Sequence, residues 1–553
     1  MSKKIKVILS VLILGFILTG WQIGTSSRKV KQASDYLLDN VPNDYASPNQ
    51  FKINVLKYNL NIDLYPDQKL LKGDVVITGI VLDTTIKQID LNFYDNMNIS
   101  LLTLNGLKSG YQNKGTRLSI PYFHTSSDTF VIRIKYAGTP KRVGFSSFVF
   151  GELNGMSCTY NLNEPNYAST WFPCNDIPSD KALVDIRITN DSSEVSASNG
   201  LLMGITTNGS RRTYHWKSNY PISTYLICLF SSDYKTFSQR YISQNNQDTM
   251  AIDYYVFPNQ LDEAKIDFQD QPDMIKFFAK TFGEYPFIKE KYGVAEFLWE
   301  LGAMETQTLT GIGSNFIGGN KLFEDVYSHE LSHHWWGDAV GPKTWKDIWL
   351  NEGFASYCEV LYKEHIGGFN ALKSAMLSKY RDNFFGTLYN PKDLFGQTVY
   401  QKGAWVLHML RHEVGDSTFF KILRSYFQTY KYKNASTSDF ENICEKISGK
   451  DLKQFFNQWV FDGSGIINVD FTWYTNNNNL TFDLNQTQTG YKDYQFPLDV
   501  KIVYKDNSEE TKTIFVDKRH QSFVFPVTKE PAEIKVDPNN WLLAEFNEHK
   551  KNY

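Results

Sequence analysis

Two histidines and two glutamates have the types and spacing of a catalytic zinc site. His329 and His333 stand four residues apart in the segment HELSH, so on a helix both imidazoles face the same side and can share one metal ion. Glu330 lies between them, within reach of a water molecule on that metal. Glu352 follows nineteen residues after His333 and offers a third ligand, which leaves the fourth tetrahedral position open. The pattern therefore predicts metal-assisted hydrolysis.

Two helices must present these residues. The apolar stretch Leu322–Trp336 is compatible with a helix that Gly337 stops. A second helical run, 352–365, is ended by Gly367–Gly368. Two ordinary helices with partly solvated histidines would give the same pattern. A cysteine metal site is not favoured, because the five cysteines show no CxxC spacing.

Five segments extend this pattern beyond the bare motif. Two surround the histidines and Glu352, a third reads Gly-Ala-Met-Glu-Thr, a fourth begins Trp-Phe-Pro-Cys-Asn-Asp, and a fifth contains Val-Tyr-Gln-Lys-Gly-Ala. They are His329–Asp338, Trp345–Ala355, Gly302–Thr306, Trp171–Ala182 and Val399–Ala404. Together they resemble the M1 family of zinc aminopeptidases, from about residue 50 to the C-terminus. Thr306 stands where the family's exopeptidase motif has Asn.

The resemblance implies the roles of the central residues. One zinc ion per chain would be held by His329, His333 and Glu352. Glu330 would act as general base, taking a proton from the attacking water and later passing it to the leaving amine. Tyr400, whose unperturbed pKa of about 10 keeps it protonated, would donate its hydroxyl to the tetrahedral oxyanion.

The resemblance also implies a binding site for peptides with a free N-terminus. The implied substrate-binding residues are Gly302, Ala303, Met304, Glu305 and Glu164. Glu305 would hold the substrate's α-ammonium, and Glu164 aligns loosely with the family's second amine-binding glutamate. Without the resemblance, Glu305 is as well explained as a solvated loop carboxylate. Glu359, two turns after Glu352, is either a partner of a ligand histidine or a surface charge.

The 553 residues are too many for one core and predict a multidomain α+β fold. Period-two alternation predicts an N-terminal antiparallel β domain, longer helical segments predict a catalytic domain that is thermolysin-like by resemblance, and returning alternation predicts a small C-terminal β-sandwich. We expect no long C-terminal helical domain, so that the cavity is more open or a partner chain covers it. The predicted boundaries are 1–27 for a signal peptide or signal anchor, 28–50 for a linker, 51–255, 256–460 and 461–553.

The N-terminus has the form of an export signal. Lys3, Lys4 and Lys6 precede an apolar run from Val7 to about Ile23. The run fits a cleaved signal peptide or a membrane anchor equally well, and a buried N-terminal helix of a cytosolic protein is the alternative. We therefore expect an extracytoplasmic protein, attached to the membrane if this segment is not cleaved.

Several function classes compete for this sequence. An exported zinc aminopeptidase is the leading hypothesis, and a thermolysin-like endopeptidase shares the helix pair and Glu352 without needing Glu305. A surface-binding protein with a vestigial zinc site is the alternative outside enzymes. Epoxide hydrolysis, known in one branch of the family, has no positive sign here. A formal net charge of −3 gives no electrostatic case for nucleic-acid binding.

Overall fold

The computed structural model describes residues 46–123 and 128–549. The predicted signal segment 1–27 and nearly all of the predicted linker lie outside the described residues. Within the described part of the chain, no helix has the length and apolar character that a membrane span requires.

The described part of the chain begins with an extensive β region, as the period-two pattern predicts. Tyr58, Leu60, Ile62 and Leu64 alternate along the first strand, and all four are buried. The strands are β1 (Ile53–Tyr65), β2 (Leu70–Val81), β3 (Gln88–Asn92), β4 (Asn98–Leu104), β5 (Leu107–Lys108), β6 (Gln112–Lys114), β7 (Arg117–Pro121), β8 (Thr129–Gly138), β9 (Phe148–Leu153), β10 (Met156–Asn161), β11 (Lys181–Asp191), β12 (Val195–Ser198), β13 (Leu201–Asn208), β14 (Arg211–Lys217), β15 (Ile222–Ser223), β16 (Leu229–Ser232), β17 (Lys235–Ile242) and β18 (Thr249–Val256).

The largest sheet has the order β13-β14-β11-β1-β2-β8-β4-β5, with β15 paired to β11. Most of its pairs are antiparallel, but β1 and β11 run parallel, with Leu60 opposite Ile186. Strands that follow each other through a tight turn must be antiparallel, whereas β11 arrives after a long crossover and is free to run either way. A second sheet, β12-β16-β10-β9, and a third, β3-β7-β6, complete this region.

A five-stranded sheet then supports the zinc motif. Its order is β17-β18-β19-β21-β20, and β19 is buried along its whole length between parallel neighbours β18 and β21. The new elements up to residue 342 are β19 (Lys291–Phe297), β20 (Ala303–Met304), β21 (Thr310–Gly313), β22 (Val340–Pro342), α1 (Leu261–Asp267), α2 (Gln271–Phe282) and α3 (Glu324–Ser332). β20 is therefore an edge strand, and α3 carries the HELSH segment.

Helices and then strands make up the rest of the chain. The helices are α4 (Trp349–Ser378), a π-helix (Thr398–Lys402), α5 (Gly403–Val414), α6 (Asp416–Tyr430), α7 (Thr437–Ser448), α8 (Lys453–Phe456) and a second π-helix (Asn457–Phe461). The strands are β23 (Lys433–Ala435), β24 (Ile467–Asn476), β25 (Asn479–Gln486), β26 (Phe496–Tyr504), β27 (Glu509–Val516), β28 (His520–Pro526), β29 (Pro531–Val536) and β30 (Ala544–Glu548). The C-terminal strands form two sheets, β28-β25-β24-β30 and β27-β26-β29.

The chain divides into two compact units. The first contains the described residues up to Trp345 together with Tyr430–Asn434, and the second contains Lys346–Thr429 and the residues from Ala435 onward. One hydrophobic core runs through the first unit from Ile53 to Leu309, so the N-terminal sheets and the five-stranded sheet share it. The multidomain α+β class is confirmed, while the boundaries at 255/256 and 460/461 stay a prediction.

Candidate metal centre and amine site

Helix α3 places the two histidines of the motif on one face. Acidic Glu324 and Asp325 occupy its first turn, where their negative charges interact favourably with the positive end of the helix dipole. The ring centroids of His329 and His333 lie 4.7 Å apart, with the ring planes at 76°. The predicted helix was too long at its C-terminal end, because α3 ends at Ser332 and His333 is its cap residue. Beyond it the chain tightens into turns that lead to Gly337, whose φ of 136° no regular helix allows.

The hydrogen bonding of His333 fixes its tautomer. Its Nδ1 lies 3.0 Å from the carbonyl oxygen of Trp336. A carbonyl can only accept, so Nδ1 carries the proton and Nε2 keeps its lone pair. The side chain is almost fully buried. A neutral imidazole that is oriented in this way is the form that binds zinc, and the residue therefore fits a metal ligand.

Glu305 and Glu330 lie close to this histidine, and Glu164 lies close to Glu305. Donor atoms of Glu305, Glu330 and His333 lie within 4.8 Å of one another, and so do carboxylate oxygens of Glu164 and Glu305. All three glutamates are buried, with Glu305 only 3% exposed. The structure therefore brings both sequence-predicted amine-binding residues and the predicted base into one place, although they are widely separated in the chain.

The segment before Glu305 is held at the sheet edge. Ala303 and Met304 pair with Ile312 and Gly311 of β21, and the N–H of Gly313 donates to the carbonyl of Gly302 at 3.1 Å. Because β20 ends the sheet, its outer edge offers backbone groups for a further extended chain.

Thr306, which departs from the family motif, closes the turn after Glu305. Its hydroxyl donates to the carbonyl of Leu309, and the N–H of Leu309 donates back to the carbonyl of Thr306 at 2.9 Å. The hydroxyl of Thr308 accepts from the N–H of Gly200 at 2.8 Å, which attaches the turn to the start of β13. The threonine thus fixes the turn that follows Glu305, the predicted amine-binding residue.

Buried polar side chains surround His334, which follows the last histidine of the HELSH segment. The hydroxyl of Tyr285 lies 2.7 Å from Nδ1 of His334, and Nε2 of His334 lies 3.7 Å from Asp338. Burial raises the pKa of Asp338 and lowers the pKa of His334. Sequence reasoning did not assign these residues a role.

Lys181 connects the N-terminal signature to this region. Its ammonium group donates to the carbonyl of Asp338 and lies 3.4 Å from that of Ala339. Burial lowers the pKa of Lys181 to about 8. Its position at the end of Trp171–Ala182 was the only sequence signal, and it ties β11 to the chain just after the zinc helix.

Glu352 lies near the start of α4 in the second unit and is 3% exposed. The start of this helix is anchored on α7, since the Trp349 indole donates to the Thr437 hydroxyl at 3.0 Å and Asp347 accepts from the Thr437 N–H at 2.8 Å. The predicted break is confirmed at Gly368, which has non-helical torsions inside α4.

Glu359 lies further along the same helix and forms an ion pair with Lys379 at 2.6 Å, with both side chains largely buried. The alternative of a surface charge stays a prediction, since the Glu359 side chain is still 17% exposed. Its role beside a ligand histidine stays a prediction.

Tyr400 lies in the π-helix Thr398–Lys402 of the second unit and is half-buried. The Thr398 hydroxyl donates to the carbonyl of Phe385 at 2.8 Å, and the buried Lys402 ammonium donates to the carbonyl of Gly463 at 2.8 Å. π-helical turns are rare and occur frequently at functional sites. No pattern in the sequence predicts this local geometry.

The sequence matches two family models. Residues 54–226 match the Peptidase M1 N-terminal domain, and residues 266–459 match the Peptidase family M1 domain. The chain is 27% identical over 387 residues to probable aminopeptidase 2 of Sulfurisphaera tokodaii, covering 64% of this chain and 48% of that protein. It is 30% identical over 370 residues to glutamyl aminopeptidase of Rattus norvegicus, covering 61% of this chain and 38% of the relative. It thus spans about half or less of these relatives.

Solved structures give the same result. The M1 zinc metallopeptidase from Deinococcus radiodurans superimposes with a TM-score of 0.66 at 26% identity, covering 74% of this chain and 93% of that one. Aminopeptidase A of Legionella pneumophila, solved with aspartic acid, superimposes with a TM-score of 0.80 at 19% identity, covering 92% of this chain and 60% of that one. The second likeness concerns the fold alone.

Proposed function

Because the chain belongs to peptidase family M1, we propose that it is a zinc aminopeptidase that removes N-terminal residues from peptides. The observation that carries this proposal is that Glu305 lies close to Glu330 and His333, with Glu164 close to Glu305. This arrangement places two carboxylates suited to an α-ammonium group beside the predicted catalytic base.

We propose that His329, His333 and Glu352 hold one zinc ion per chain. Two imidazoles with one carboxylate are a common catalytic zinc ligand set, and the two M1 family models that match the chain support this assignment. When bound, zinc would polarise the scissile carbonyl and lower the pKa of a water molecule to about 7. The Nδ1 hydrogen bond of His333 to Trp336 holds the ring in the ligand tautomer.

Glu330 and Tyr400 handle the proton and the developing charge. Glu330 takes a proton from the attacking water and delivers it to the amine that leaves, a transfer that contributes roughly 10² to 10⁴-fold to rate. The Tyr400 hydroxyl donates to the developing oxyanion, where one such donor is worth about 10² to 10³-fold. Membership of the family supports both assignments, together with the buried position of Glu330 in α3.

The free edge of β20 is the part of the sheet where a peptide substrate would bind. A peptide added along this edge would extend the sheet, with Gly302, Ala303 and Met304 supplying backbone groups. Glu305, directly after the strand, and Glu164 would then hold the ammonium group at the end of that peptide. In this arrangement the first peptide bond of the substrate would lie at the metal, which favours removal of the N-terminal residue over internal cleavage.

The thermolysin-like endopeptidase is the rival function, and one comparison separates the two. The purified protein is given a free-amine peptide and its amino-acetylated copy, with and without a chelator, and the products are identified by mass. We expect chelator-sensitive release of the N-terminal residue and a loss of about 10³-fold on acetylation. Equal internal cleavage of both peptides would establish the endopeptidase, and no turnover with zinc bound would favour the vestigial binding protein.

We also propose that the catalytic part lies outside the cytoplasm. Lys3, Lys4 and Lys6 ahead of the apolar run 7–23 support export by the positive-inside tendency. External protease added to intact cells should digest residues beyond about 30, and released protein without residues 1–27 would indicate a cleaved signal rather than an anchor. Digestion only after lysis would count against export.

A further inference from the structure

Two buried glycines of the second unit bring two backbone segments into direct contact. A Cβ built on Gly403 would lie 2.7 Å from the Cα of Gly353, and a Cβ built on Gly353 would lie 2.9 Å from the Cα of Gly403. Ordinary carbon contacts begin at about 3.4 Å. Since backbone rather than a flexible side chain blocks each position, neither segment can accept a methyl group without moving.

Each glycine is joined closely to a residue of the proposed mechanism. Gly353 follows Glu352 directly, and Gly403 begins α5 three residues after Tyr400. A Cβ on Gly353 would also lie 3.3 Å from the carbonyl oxygen of Val399, inside the π-helix that carries the tyrosine. The contact therefore joins α4 near its Glu352 end to the π-helix.

We propose that the contact between Gly353 and Gly403 sets the position of the Tyr400 hydroxyl relative to Glu352, which makes both glycines positioning residues for catalysis. This inference rests on the roles proposed above for Tyr400 and Glu352. The π-helix is held at both ends, through Thr398 on Phe385 and Lys402 on Gly463, so its backbone is fixed while its centre carries the tyrosine.

The size of the effect follows from the contact distance. A methyl group on Gly403 falls short of van der Waals separation by about 0.7 Å, so the start of α5 or the π-helix must shift by a comparable amount. Misplacing a catalytic group by about 1 Å can cost on the order of 10²-fold in rate. We therefore expect Gly403→Ala to lower kcat by roughly 10- to 100-fold with little change in KM, while the protein keeps about one zinc per chain.

Two controls separate positioning from general destabilisation. Gly204→Ala adds a methyl group that meets nothing within 4 Å, and Val500→Ala opens space in the buried face of β26. Both control variants should keep the wild-type kcat. Val500→Ala is chosen to lower Tm by about as much as Gly403→Ala does, so that it controls for a general loss of stability. Gly353→Ala perturbs the same contact from the other side and serves if Gly403→Ala is insoluble. If neither variant folds, the contact is needed for the fold itself and the proposal is overturned.

A double-mutant cycle with Tyr400→Phe gives the decisive test. If Gly403 acts through the tyrosine hydroxyl, Gly403→Ala should lower kcat strongly in the wild type and at most about 2-fold in Tyr400→Phe. An equal fall in both backgrounds would overturn the positioning role. Near-wild-type kcat in Tyr400→Phe alone would instead refute the role of the tyrosine, a failure of the proposed function that the cycle distinguishes.

Discussion

Replacing Glu305 by glutamine tests the charge pairing on which the proposed exopeptidase function depends. Glutamine keeps the size and shape of the side chain but cannot carry the negative charge that pairs with a substrate α-ammonium group. The site is favourable for a strong effect, because Glu305 is 3% exposed and its carboxylate lies within 4.8 Å of donor atoms of Glu330 and His333. Water therefore cannot replace the lost pairing well.

The expected magnitude follows from the burial. Removing one partner of a buried, hydrogen-bonded charge pair costs about 3–5 kcal/mol, and each 1.36 kcal/mol is tenfold in kcat/KM. Glu305→Gln should therefore lower kcat/KM on free-amine peptides by roughly 10² to 10⁴-fold. Acetylated peptides lack the charge already, so the same change should alter their slow turnover by less than about 10-fold.

The assay measures kcat/KM on a matched pair of free and acetylated peptides for wild type and Glu305→Gln, with zinc content determined for both. The ratio between the two peptides should shrink by at least about 10-fold in the variant while about one zinc per chain is retained. An unchanged ratio would refute the ion pair. A loss of zinc would show that Glu305 belongs to the metal site instead.

Three further predictions concern the metal, the oxyanion and pH. Glu330→Gln should keep its zinc and lose about 10² to 10⁴-fold in kcat, whereas Glu352→Ala should lose zinc, and equal metal loss in both would reverse the assignments. Tyr400→Phe should lower kcat by about 10² to 10³-fold at similar KM, as steady-state kinetics will show. Burial lowers the pKa of His408 to about 3, so only the unfolded chain protonates it as pH falls below about 6.5. As pH falls through that window, this protonation should lower the free energy of unfolding by up to about 1.4 kcal/mol per pH unit. Denaturant titrations at pH 7.5 and 5.5 measure the free energy of unfolding at each pH. The decrease between the two pH values should be smaller in His408→Gln than in the wild type.

Local sequence patterns predicted a strand or a helix break well where the conformation depends only on neighbouring residues in the chain. The alternation at Tyr58, Leu60, Ile62 and Leu64 is a buried face of β1, since the period of side chains in a strand is a property of the strand alone. Gly368 breaks α4 as expected, because its left-handed φ of 68° suits glycine. Only the resemblance to a family predicted that Glu305 and Glu330 share a site, because local spacing does not relate a residue that follows an edge strand to a residue of a helix.

The rest depended on contacts that no local rule contains. The direction of β11 beside β1 is set by a crossover of more than a hundred residues. Lys181 reaches backbone carbonyls rather than a side chain, so no complementary residue marks its partner in the sequence. The contact between Gly353 and Gly403 is likewise a property of two backbones, and the only sequence signal is the absence of a side chain at each position.

The charge of the first-unit site favours an exopeptidase over an endopeptidase. Glu164, Glu305 and Glu330 form a chain of buried carboxylates in which successive members come within 4.8 Å. Like charges at such distances in a buried site are costly unless cations enter. Zinc would balance the base and the ligand carboxylate, but Glu164 and Glu305 exceed what hydrolysis at the metal requires. A protonated amine at the end of a substrate is the cation that would balance them, and an internal peptide bond brings none. The burial of these two glutamates therefore supports the proposed recognition of a free N-terminus.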